Sequence, residues 1–296
     1  MYLEHFGLTE FPFTITPDTD FAFRSRHHQA AINTVLLALA GNEGFVKVTG
    51  EVGTGKTLIC RHLLANLPED VVSAYLLNPR LTPNRLLRAV AHELGVRLRR
   101  STDDYTLFRS LEASLLQIAR VGRRAVLCID EAQALPMESL EALRLLSNLE
   151  TGKRKLIQIV LFGQPELNRK LALDSIRQLA QRITFHYHLG GLTRDDLEYY
   201  LAHRLRVAGF TGARLFSRGA VSRLYSASGG IPRLVNILAH KALMLSFGQG
   251  KAQVNRRHVN DAASDTIVRK RRVWPWLAAW SLLLAAAGAL AWTFIQ

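Results

Sequence analysis

The chain has 296 residues, a formal net charge of +14 and two cysteines, Cys60 and Cys128. That length accommodates one large domain or two modest ones with a real core. It excludes a disulfide-stapled scaffold, and the absence of CxxC spacing excludes a Cys-rich zinc site. Most of the basic excess lies after residue 190, which permits nucleic acid or anionic lipid as a partner without selecting either. The opening residues lack an apolar run, so no secretory leader is read and the N-terminus is expected in the cytoplasm.

In chain order, residues 45–49 read as a short buried strand. Gly50, Glu51, Val52, Gly53, Thr54, Gly55, Lys56 and Thr57 follow it and open a helix over 56–66. This is GxxxxGK[ST] between a strand and a helix, the context that gives the motif its meaning. Its glycines let backbone N–H groups turn inward around phosphate oxygens. The helix N-terminus adds its positive end. Lys56 is expected to reach the β- and γ-phosphates, and Thr57 to coordinate Mg²⁺. The reading is ATP binding with Mg²⁺.

A second strand is predicted over 71–77. A helix opened by Thr82 and Pro83 closes at Gly95, and an amphipathic helix covers 103–121. The third strand, 125–129, ends in Asp130 and Glu131. Asp130 is expected to hold Mg²⁺ through water and Glu131 to polarise an attacking water, which argues for hydrolysis as well as binding. A helix over 136–149 puts Leu140, Leu143, Leu146 and Leu149 on one face. The fourth and fifth strands are predicted at 156–162 and 183–189. Alternating strands and helices predict an α/β fold with a covered parallel sheet.

After Gly190 and Gly191 the pattern is helical only. Thr193, with Asp196 at the capping-box position, starts a helix to about Ala208. Ser217 starts another, ending at Gly229 and Gly230. Pro232 sits early in a third that ends near Gly248, and a last helix lies around 257–265. The run Arg269, Lys270, Arg271, Arg272 then precedes residues 273–295, VWPWLAAWSLLLAAAGALAWTFI, which carry no charge. As a helix they would reach roughly 35 Å, enough for a hydrocarbon core of about 30 Å. Trp274, Trp276 and Trp292 lie near the two ends, and the basic run is expected on the cytoplasmic side.

These residues resemble an AAA+ ATPase, and more narrowly the ATPases of the general secretion pathway protein A family, related to those of pilus biogenesis. The resemblance is carried by Tyr2-Leu3-Glu4-His5-Phe6-Gly7-Leu8, the phosphate loop, Ile129-Asp130-Glu131-Ala132-Gln133, Leu161-Phe162-Gly163-Gln164-Pro165-Glu166-Leu167, Gln178-Leu179-Ala180-Gln181-Arg182-Ile183 and Gly229-Gly230-Ile231-Pro232-Arg233. It covers essentially all of residues 1–268 and looks nearest to the branch serving mannose-sensitive haemagglutinin type IV pili.

The resemblance implies a P-loop AAA+ three-layer sandwich over 1–190 with an N-terminal arm, and a helical lid domain over 191–268. A basic juxtamembrane segment at 269–272 and a transmembrane helix at 273–295 would follow. It matches Gln164 to the sensor contacting the γ-phosphate or lytic water, and Arg233 to the second sensor. It matches Arg182 to a finger acting on a neighbouring subunit, with Arg177 as the alternative. A trans finger implies a homo-oligomeric ring or part-ring, hexameric by resemblance.

The implied setting is the bacterial inner membrane, with the ATPase body in the cytoplasm and pilus or type II secretion assembly proteins as partners. Peptidoglycan binding is not carried over, because family members bind it through a further domain, and none is read within residues 1–296. Nucleic acid is not expected as a partner, although transposition ATPases share a similar domain and a DNA-handling regulator or a nucleotide-dependent scaffold are the alternatives. Phe6, Phe11 and Phe13 are expected either to close over the adenine or to pack the arm. His27, His28, His186, His188 and the arginines 97, 99, 100, 123 and 124 are read as structural or solvated.

Overall fold

The computed structural model describes residues 2–15, 25–77, 79–152 and 154–266. Five strands form one sheet: β1 (Phe45–Gly50), β2 (Val71–Leu76), β3 (Arg124–Ile129), β4 (Ile157–Gly163) and β5 (Ile183–Leu189). Their order is β2-β3-β4-β1-β5, and every pairing is parallel. The register sets Val48 beside Phe162 and Tyr187, and Cys128 beside Tyr75 and Val160.

Both faces are covered, which is why the central strands are almost continuously apolar. One face carries Phe45, Leu127, Ile129, Ile159 and Leu161. These pack on α4 (Pro83–Glu93), α5 (Asp104–Arg120) and α6 (Met137–Leu146), among whose buried residues are Leu86, Leu111 and Leu140. The other face carries Val46, Val48, Val126, Cys128, Val160 and Phe162, packed on α2 (Arg26–Ala40) and α3 (Lys56–Ala65). Cys60 and Cys128 are free thiols buried in this layer, and the hydrogen bond between them, with burial, pushes the Cys60 thiol up.

Helix α2 was not anticipated. Its signal is nevertheless local: Ser25 caps it by accepting from the His28 N–H, and Ile32, Val35 and Leu39 share its buried face. The short helices α1 (Tyr2–Phe6), α7 (Glu166–Leu171) and α8 (Arg177–Ala180) were also unread. Helix α6 stops three residues before the expected 149. The Ser147 hydroxyl donates to the Arg144 carbonyl at 2.7 Å, and Glu150 bridges back to Lys155 in antiparallel fashion.

The second unit comprises α9 (Arg194–Val207), α10 (Arg218–Ser228), α11 (Pro232–Gly248) and α12 (Arg256–Ser264). Thr193 and Ser217 cap α9 and α10 as expected. Its core holds Leu197, Leu224, Leu238 and Val259, together with Tyr2, Phe6, Leu8 and Phe13 of the arm. The arm was expected with the sheet-bearing unit, and its side chains instead complete the helical one. Arg204, buried, donates to the Pro12 carbonyl at 2.5 Å, and Asn236 donates to the Thr14 carbonyl at 2.9 Å. Phe6 and Phe13 therefore serve packing, while Phe11 is partly exposed against Tyr2 and His240. Residues 269–272 and 273–295, read as a basic segment and a membrane span, lie outside the described residues. Among the described residues no helix is long and apolar enough to cross a membrane.

Candidate functional site

The phosphate loop leaves the C-terminal end of β1 and enters α3, as its motif requires. Lys56 is 5% exposed, and its ammonium donates to the Gly50 carbonyl at 2.8 Å and the Glu51 carbonyl at 2.9 Å. Burial lowers its pKa from the usual range, while the carboxylates of Glu131, Asp130, Glu51 and Glu166 pull it back up. Those carboxylates favour the charged ammonium and so offset part of the cost of burying it. Thr54 turns inward and donates to the Glu51 carbonyl at 2.9 Å; Val52 projects outward.

The neighbouring strands supply the acidic side of the site. Asp130 follows β3 and is fully buried. Its Oδ2 accepts from the Thr57 hydroxyl at 2.6 Å, and its Oδ1 from the Glu131 N–H at 2.8 Å. A hydroxyl and a carboxylate in contact beside the loop's backbone amides are a hard-oxygen pair of the kind Mg²⁺ takes. Glu131 comes next, in a left-handed conformation with φ 54° and ψ 36°. Its Oε2 accepts from Gln164 Nε2 at 3.0 Å and from Gln133 Nε2 at 2.5 Å. Gln164 stands at the tip of β4, so two parallel strand ends converge on one carboxylate.

The helical unit closes the third side. The Arg233 N–H, at the start of α11, donates to the Gly53 carbonyl at 3.3 Å. Gly53 has φ +84°, and a Cβ there would lie 2.4 Å from the Arg233 Cβ. The loop must be glycine at this point both for its conformation and for the start of α11 to approach.

His28, set aside as structural in the sequence, is buried beneath the loop. Its Nε2 lies 3.0 Å from the Thr54 carbonyl and its Nδ1 2.9 Å from the Ser25 hydroxyl. A carbonyl only accepts, so Nε2 carries the proton and Nδ1 accepts from Ser25. Burial lowers the pKa of this imidazole.

The structure thus brings Lys56, Thr57, Asp130, Glu131, Gln164 and Arg233 together. It does not bring Arg182 or Arg177 to this site. Arg182 directly precedes β5, at the end of the sheet opposite the loop and roughly 20 Å from it at about 3.3 Å per strand residue, and Arg177 opens α8 (Arg177–Ala180) just before it. Arg182 donates to the Ser147 hydroxyl of its own chain at 2.9 Å, whereas Arg177 is exposed. Sequence reasoning missed Gln133 as a site residue, although it stands two places after Glu131. His186 and His188 are exposed, and among the described residues no group of three or more His, Cys, Asp or Glu is placed to hold a metal ion.

A family model described as an AAA domain matches residues 39–171. The chain is 41% identical over 291 residues to general secretion pathway protein A of Aeromonas hydrophila, covering 98% of this chain and 52% of that protein. It therefore spans about half the length of that relative. Among solved structures, the ORC2 protein of Aeropyrum pernix, in ADPNP and ADP complexes, matches with a TM-score of 0.59 and 17% identity, over 83% of this chain and 71% of that one. The ORC1 protein of the same organism, solved with DNA, matches at 0.58 and 20%, over 86% and 69%. At such identities these two likenesses show the fold alone.

Proposed function

The chain belongs to the AAA+ ATPases as a relative of general secretion pathway protein A, and on that premise we propose that it hydrolyses ATP to drive assembly of an envelope machine, a type IV pilus or type II secretion apparatus, from the inner face of the bacterial inner membrane. The observation that carries the hydrolytic part is the convergence of Glu131 and Gln164 beside the Thr57–Asp130 pair. A site built only to bind nucleotide needs the loop and the cation pair. It has no use for a carboxylate held by a second strand tip.

In this reading Gly50 to Thr57 bind the phosphates through backbone N–H groups, and Lys56 exchanges its two carbonyl partners for phosphate oxygens. Thr57 and Asp130 would hold Mg²⁺, whose chemistry when bound is to neutralise phosphate charge. Glu131 orients the attacking water and takes its proton. Gln164 fixes Glu131 and lies within reach of the same water. Arg233 senses the phosphates from the lid, coupling their state to the lid's position through the Gly53 contact. The exposed Arg177 supports it over the tethered Arg182 as the finger that completes a neighbour's site in a homo-oligomeric ring.

The membrane part rests on the apolar run 273–295 behind four basic residues. The test of the chemistry is Glu131→Gln, expected to hold ATP as tightly as the wild type while turnover falls by roughly 10²–10⁴; Lys56→Ala is expected to lose binding itself. Tight ATP binding by Lys56→Ala would remove the phosphate-loop assignment. The test of the setting is cell fractionation: the protein is expected with the inner membrane and is expected to leave it when 269–296 are deleted. A full chain that stays soluble and shifts DNA in a salt-sensitive way would overturn the setting and leave the chemistry standing.

A further inference from the structure

The side chain of Gln133 is used at both ends. Its Nε2 donates to Glu131 Oε2 at 2.5 Å, and its Oε1 accepts from the backbone N–H of Gln164 at 2.9 Å. One amide therefore spans from the end of β3 to the tip of β4. The close approach of β4 is made by Gly163, where a Cβ would stand 3.3 Å from Gln133 Oε1 and 2.8 Å from Leu167 Cδ2. The chain turns to deliver this geometry at Glu131, one of two non-glycine residues with positive φ among those described, Asn42 being the other. Such a conformation persists where its surroundings over-determine it. Here the Asp130 carboxylate, which accepts the Glu131 N–H, and the Ala134 N–H, which donates to the Glu131 carbonyl at 2.8 Å, do so.

We propose that Gln133 is a positioning residue for hydrolysis: a brace that sets the rotamer of Glu131 and the separation of the β3 and β4 tips. The inference rests on the hydrolytic reading of the site. Its chemistry suits glutamine. The side-chain amide offers a donor to a carboxylate at one end and an acceptor to an N–H at the other, at the length this span needs. Asparagine is one methylene short of the span, methionine has the length and neither end, and glutamate would set one carboxylate against another. Both amide bonds to Glu131, from Gln133 and from Gln164, fall on Oε2. The brace leaves Oε1 as the oxygen that takes the proton of water. Because Gln164 shares the carboxylate, the brace also lets Gln164 turn toward a ligand without freeing Glu131.

The test is a double-mutant cycle on the assembled full chain, reading ATP affinity and single-turnover rate with enzyme in excess. Gln133→Met is expected to leave ATP affinity within about twofold and to lower the rate roughly 10–100-fold, the cost of a reacting group misplaced by about an ångström. In the Glu131→Gln background the same substitution is expected to change the rate by less than about twofold, since Gln133 acts through Glu131. A merely structural role gives the same fold loss in both backgrounds, and that result would overturn the proposal, as would an unchanged rate for Gln133→Met alone. Should Gln133→Met fail to fold, Gln133→Glu carries the cycle: it keeps the shape and the acceptor and loses the donor, with the same split expected. A wild-type assembly that binds ATP and never turns it over would remove the hydrolytic reading and the brace together, a result distinct from failure of the brace alone.

Discussion

Gly53 shows how little room a single residue has at this site. A Cβ at a φ of +84° would meet the Arg233 Cβ at 2.4 Å. Gly53→Ala is expected to cost about 1–2 kcal/mol for the left-handed backbone alone, or about 2–4 °C of Tm per kcal/mol in a chain of this size. It is also expected to weaken ATP binding, because the lid must retreat from the loop. A melt and a titration of the variant check both; wild-type values in each would show that Arg233 is not held at the loop.

His28 makes a different prediction at the same scale. Burial depresses its pKa below the ordinary 6.5, so the unfolded chain takes up the proton first. Stability is therefore full above that value and is lost as pH falls from it through the folded value. His203, His240 and His258 are depressed by burial too and act in the same direction. The Tm is expected to fall between roughly pH 7 and 5, and His28→Gln to flatten that slope without abolishing it. An identical slope in the variant would remove His28 from the account.

Among the elements, the N-terminal arm is the one whose place matters most. Phe13 is 2% exposed, in edge contact with Phe216, and belongs to the core of the helical unit. Phe13→Ala is expected to destabilise that unit by about 3–5 kcal/mol, read by denaturant unfolding, with ATP affinity little changed once the protein is folded. A large loss of affinity at unchanged stability would instead put the ring over the nucleotide. Strands β1, β3 and β4 were legible in the sequence as short apolar runs because both sheet faces are covered there, whereas the edge strand β5 alternates exposed Thr184, His186 and His188 with half-buried neighbours. Helix α2 was overlooked although Ser25, Ile32, Val35 and Leu39 carried its signal. Helices α7 and α8 have too few residues to show a period; what marks them is the burial of Leu167, Leu171 and Leu179 in the same core as Leu135, Leu140 and Leu161.

For the whole molecule, the proposed assembly turns on the arginines before β5. Arg182 lies a full strand length from the loop after β1, too far to reach the site of its own chain. If Arg177 acts on a neighbour, Glu131→Gln and Arg177→Ala preparations are each expected to be poor ATPases, and their mixture is expected to regain part of the activity. In a mixed assembly one subunit supplies the arginine and the other the carboxylate. The specific activity of the wild type is also expected to rise with concentration. A mixture no better than its parts would exclude Arg177, and the same experiment with Arg182→Ala then decides the alternative.

By itself the sequence determined where the glycine-rich loop and the acidic strand end lie and the alternation that makes a parallel sheet. These are local: a glycine-rich turn, a strand end and a helix start are each specified by residues a few places apart. Only the tertiary structure decided that Gln133 joins Glu131 to Gln164, that His28 lies against the loop, that the arm packs into the helical unit, and that Arg182 is tied to Ser147. Each of these depends on the order β2-β3-β4-β1-β5 or on the packing of α9 to α12, which bring together residues up to more than two hundred positions apart, as in the Asn236–Thr14 bond. Hydrogen bonds at such separations leave no periodic trace in a chain, because they are set by which surfaces the apolar cores press together.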